Sequence, residues 1–85
     1  MNLEHAQAAV RLLKLVVAGE IDVARALDEW PQSGGRENTL DIAWHDLSHF
    51  AADGDIRSKD ERYTRYQTEL LKSRIAEIER AYSLE

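Results

Sequence analysis

From the amino terminus, Leu3, Ala6, Val10, Leu13 and Val17 recur at steps of three and four residues, which stacks them on one side of a helix. Leu12, Leu15 and Val16 widen this stripe beyond what one neighbour covers, so the first helix is expected to be central or to meet a second surface. Gly19 can take the left-handed conformation that ends a helix, and a tight hairpin should follow. Residues 21–30 place Val23, Leu27 and Trp30 on one face of a short second helix that Pro31 closes. The stretch from Pro31 to Glu37 holds the only proline and two adjacent glycines, and is the principal loop.

Beyond that loop Asn38 can cap a third helix, with Asp41 in its first turn to meet the positive end of the helix dipole. Leu40, Ala43, Trp44, Leu47, Phe50 and Ala51 form its expected core stripe, and Gly54 its stop. Ser58 and Glu61 have the Ser-x-x-Glu spacing of a capping box, which starts the last helix and carries it to about Tyr82. Tyr63, Tyr66, Leu70, Leu71, Ile75, Ile78 and Tyr82 lie near one face of it, while Glu61, Arg65 and Glu69 form an i,i+4 ladder on another. No stretch alternates with period two. The pattern predicts an all-α fold, a small bundle of about four helices arranged as two helical hairpins with a long C-terminal helix. That last helix would be roughly 36 Å long against roughly 21 Å for the third, so something else must cover its far end. The first helix alongside is the simplest cover, and a second copy of the chain is the next.

Composition narrows this picture. At 85 residues, 44% hydrophobic and 32% charged, the chain is sized for a single helical domain, drawn here over residues 1–83. Leu84-Glu85 is set aside as a candidate vector-derived tail. The longest apolar run, Leu12 to Ala18, is broken by Lys14 and falls short of the roughly 20 residues a membrane span requires. Glu4 and His5 stand where a secretory signal would be basic, so a cytoplasmic protein without membrane contact is expected. The lack of cysteine excludes disulfides, thiolate catalysis and Cys-type zinc sites. A net charge of −5 argues against a nucleic-acid partner, which calls for a clustered basic face. The charge is uneven: −2 over residues 1–37, −3 over 38–57 and zero over 58–85.

The acidic middle segment is where chemistry is expected. At 100° per residue His45, His49 and Asp53 lie opposite Trp44, Leu47 and Ala51, with Asp46 and Ile42 beside them. Two histidines four residues apart on a helix can share a metal ion, with Asp53 one turn on as an oxygen ligand. The zincin motif, however, needs a glutamate after its first histidine, and Asp46 stands there instead. Asp53-Gly54-Asp55 has the start of a calcium loop, yet Arg57, Lys59 and Thr64 occupy ligand positions. Ser48 and Ser58 lack the partners of a catalytic triad, and Gly34-Gly35 lacks the lysine of a phosphate-binding loop. The expected function is therefore a non-enzymatic, cofactor-free protein–protein interaction module. Its partner would be a second copy, met through Ile78 and Tyr82, or a basic protein held by Asp46, His45, His49 and Asp53, as an inhibitor or immunity-type factor would hold it. The alternative is a metal-binding helical protein using the His-x3-His pair.

Overall fold

The computed structural model describes residues 3–31 and 38–84, the side chain of Asn38 excepted. Among these residues the chain forms five α-helices and no strand: α1 (Leu3–Val17), α2 (Val23–Asp28), α3 (Asn38–Ala52), α4 (Gly54–Lys59) and α5 (Glu61–Tyr82). The all-α bundle agrees with the periodicity, and it contains one helix more than the pattern predicts. At 6 residues, α4 is too short to establish a hydrophobic period of its own. The loop predicted over residues 31–37 lies outside the described residues except for Pro31, as does the capping expected of Asn38.

α5 is the spine. It packs against α1, α3 and α4, while α2 packs against α1 and α3. Its 22 residues span roughly 33 Å, most of the 39 Å long dimension of the molecule. The largest side chains with essentially no solvent exposure are Leu13, Leu40, Leu47, Leu71 and Ile78, so α1, α3 and α5 each contribute to one core. Each such side chain stabilises the fold by roughly 1.5–3 kcal/mol relative to full exposure. Ala6 and Ala9 are wholly buried on α1, where a short side chain lets a neighbouring backbone approach closely. Lys14 in the last turn of α1 reaches Glu79 in the last turn of α5 at 3.1 Å, so the two helices end side by side. The expected cover of the long helix by the first is what the structure has. Ile78 and Tyr82, expected to face a partner, instead belong to this shared core.

α1 and α5 end by the same geometry. Gly19 adopts φ +74, its N–H donates to the Val16 carbonyl at 3.0 Å, and the Glu20 N–H donates to Leu15 at 2.9 Å. Ser83 does the same at φ 56, with Leu84 N–H donating to Glu79 at 2.9 Å and the Leu84 side chain resting on the core. Leu84, set aside in the sequence as tail, thus takes part in the cap. The start of α5 departs from expectation. Asp60, not Ser58, is the N-cap: its Oδ1 accepts from the Arg62 N–H at 2.9 Å and the Tyr63 N–H at 3.3 Å. A carboxylate suits the positive end of a helix dipole better than a hydroxyl, and Ser58 is already inside α4, donating to the Asp55 carbonyl at 2.8 Å. No helix among the described residues is long and apolar enough to cross a membrane.

A Cβ at Gly19 would meet nothing within 4 Å, so Gly19→Ala carries backbone strain alone. The expected loss is about 1–2 kcal/mol, read as a lower urea midpoint at unchanged slope. Ile78→Asp, by contrast, puts a charge in the core and should abolish cooperative unfolding altogether.

Candidate functional site

α3 has two edges of different character. The edge toward α5 carries Asp46, Phe50 and, just past the helix end, Asp53. Asp46 is half-buried and forms a short ion pair with Nε of Arg74, whose Nη1 also contacts Glu77 at 2.9 Å. The hydrogen bond to Asp46, reinforced by Glu77 against the cost of burial, raises the Arg74 pKa further above its ordinary value, so the guanidinium is a fixed charge. Asp53 Oδ2 accepts from Tyr63 Oη at 2.7 Å and from Gln67 Nε2 at 3.0 Å. Asp46 meeting Arg74 while Asp53 meets Tyr63 and Gln67 sets α3 and α5 antiparallel.

Gln67 is the buried polar group in the otherwise apolar face of α5. A buried amide needs partners at both ends, and it has them. Its Oε1 accepts from Arg57 Nη1 at 2.7 Å, and because a guanidinium only donates, the oxygen must be on that side. The same Nη1 donates in a short hydrogen bond to the Phe50 carbonyl near the C-terminal end of α3, and the guanidinium carbon sits 3.6 Å above the Phe50 ring. Thr64 Oγ1 donates to the Arg57 carbonyl at 3.0 Å. One network therefore ties the end of α3 and the first two turns of α5 together through Arg57 of α4.

The opposite edge of α3 faces away from the bundle. Asp41, Ile42, His45, His49 and Ala52 are all exposed there. Trp44 lies on the flank of that edge, and 38% of its surface is open, with its ring edge-on to His45 at 5.3 Å between centroids. Its expected place in the core stripe is taken by Leu40, Ala43 and Leu47, which are all buried. Tyr66 is a second departure, 61% exposed and stacked on Tyr63.

The candidate residues of the sequence thus divide into three groups. His45 and His49 do stand together on the outward face. Asp46 and Asp53 turn toward α5: the Asp53 N–H still donates to the His49 carbonyl at 3.0 Å, so helical rotation carries through it and sets it roughly 20° from Asp46 around the axis. Ile78 and Tyr82 are in the core. Among the described residues no three His, Asp or Glu side chains converge as a group able to hold a metal ion. The helical pattern does not single out Arg57, Gln67 and Tyr63 as a polar set, although Gln67, at i+4 from Tyr63 and i−4 from Leu71, is a polar residue on an apolar row and needs partners. Models of known protein families, curated proteins and solved structures yield no match to this chain.

Removing the Arg57 side chain leaves the Gln67 oxygen and the Phe50 carbonyl short of a donor. Arg57→Ala should destabilise by roughly 1–3 kcal/mol in urea unfolding, with protection of α4 amides lost first in hydrogen exchange. Tyr63 has its pKa raised above 10.0, chiefly by donating to Asp53 and then by burial. Raised in the folded state, this group gives stability that is complete below the unfolded value near 10.0 and is lost as pH rises through the folded value. An alkaline titration of tyrosinate absorbance, wild type minus Tyr63→Phe, should place this phenolate above 10.0.

Proposed function

We propose that the protein works by protein–protein contact and that the contact is made by the outward face of α3. The observation that carries this reading is the pair of large apolar side chains, Ile42 at 44% exposure and Trp44 at 38%, on a helix whose other edge is pinned. A tryptophan on one flank and an isoleucine on the other, with two imidazoles between them, can bury apolar surface and still satisfy polar tips. Because Arg74 and the Gln67 network hold α3 in place, the face meets a partner pre-organised, with little ordering cost on binding.

The same geometry changes the kind of contact. Capture of a basic protein by an acidic helix would lean on Asp46 and Asp53, and both carboxylates are engaged within the chain. Asp41 remains as the outward carboxylate of α3, so apolar contact outweighs electrostatic grip. An inhibitor or immunity-type role stays compatible with this face, with shape in place of charge as its basis.

A photoreactive amino acid at position 42, introduced in the native cell, should give a defined cross-linked product, while the same group at exposed position 81 gives none. Equal labelling from both positions would overturn the assignment of the face.

A further inference from the structure

We propose that the outward face of α3 pairs with the same face of a second copy of this chain, antiparallel, about a twofold axis at His45. This rests on the reading of that face as a docking surface and names its occupant. Asp41 and His49 stand one turn either side of His45 on one strip, about 6 Å away along the helix in each direction. A twofold axis at His45 therefore sets Asp41 of one copy level with His49 of the partner subunit, and repeats the pair on the other side. The face is complementary to itself in hydrogen bonding: a carboxylate acceptor toward its N-terminal end, an imidazole N–H donor toward its C-terminal end, and residue 45 against its own copy between them.

The apolar groups fit the same arrangement. An axis of this kind keeps each flank on its own side, so Ile42 lies beside His49 of the partner subunit and gains cover that it lacks in the single chain. Trp44 closes the opposite flank of each copy. The two α3 dipoles oppose one another, which is the favourable sense for neighbouring helices. Against the pairing stands the −5 charge of each chain, partly screened at physiological salt. A single helix of 15 residues is about 22 Å long and buries less than the roughly 1,200–2,000 Å² of a standard interface. Association is accordingly weak and depends on concentration.

Sedimentation equilibrium of the purified chain tests this directly. The mass should climb from 9.7 kDa toward twice that value as concentration rises. Asp41→Lys or His49→Glu alone should weaken association roughly tenfold, and the two together should restore it, all with unchanged helicity because both side chains are exposed. The chain has no cysteine, so His45→Cys supplies a lone thiol that the twofold places opposite itself. Mild oxidation should link that variant into a dimer well before an Ala81→Cys control. A monomer at every concentration, a double variant as weak as the singles, or equal oxidation of the two thiols would overturn the pairing. Should the chain stay monomeric while position 42 cross-links to a protein of another mass, the docking face stands and the self-pairing falls.

Discussion

A buried amide governs the end of the bundle where α3, α4 and α5 meet. Gln67 occupies a position on α5 where the neighbouring positions of the row, Leu71, Ile75 and Ile78, are apolar, and its oxygen and nitrogen have to be matched away from water. Arg57 supplies the donor and Asp53 the acceptor. Those two residues lie four apart, and to reach the same amide from either side the chain must leave α3 at Asp53 and turn once before Arg57. α4 is that turn. Its existence follows less from local propensity than from the requirement that both charged groups arrive at one side chain, where each also offsets the charge of the other.

Holding α3 along one edge decides what the other edge can do. The acidic segment 38–57 reads as a repulsive surface only while its partners are unseen. Arg74 comes from the neutral C-terminal segment to meet Asp46, and Arg57 bends back under the end of α3. The surplus negative charge is thereby absorbed into the frame that fixes the helix. What projects outward is one carboxylate, two imidazoles, an isoleucine and a tilted indole, a surface closer to neutral than the segment charge suggests. Charge counted along a chain and charge presented to a partner are different quantities wherever long basic side chains can fold across a groove.

Much of the fold could be read from residue spacing. The three- and four-residue steps of α1, the αL end at Gly19, the burial of Trp30 and the apolar stripe of α5 are local features, and local features need only period and backbone sterics. The departures are all tertiary. Trp44 stands roughly 60° around the helix from Leu47 and roughly 100° from Ala43, at the margin of the stripe that Leu40, Ala43 and Leu47 bury, and its ring is left on the flank. Asp60 takes the cap from Ser58 because α4 has claimed the serine, and α4, which buries none of its residues, has no apolar face to announce it. Asp53 keeps the helical bond to His49, and rotation puts it beside Asp46; it faces α5 because the core covers the Leu40, Ala43 and Leu47 side of α3 and not a side centred nearer Trp44.

The exposed apolar side chains outside α3 do not compete as a contact surface. Leu3 opens α1, Ile56 sits on the short α4, and Tyr66 already stacks on Tyr63, so each stands on a separate helix. Scattered single residues of this kind are ordinary on soluble proteins and carry no implication. Ile42 and Trp44 differ in sharing one helix, in flanking the same pair of histidines and in standing on the best-anchored surface of the molecule. Ordering a mobile segment on binding would cost part of whatever contact it made. Here the cost has been met within the chain, by Arg74 on one side and by Gln67 with its partners at the end, and the apolar contact at α3 keeps nearly all of its value.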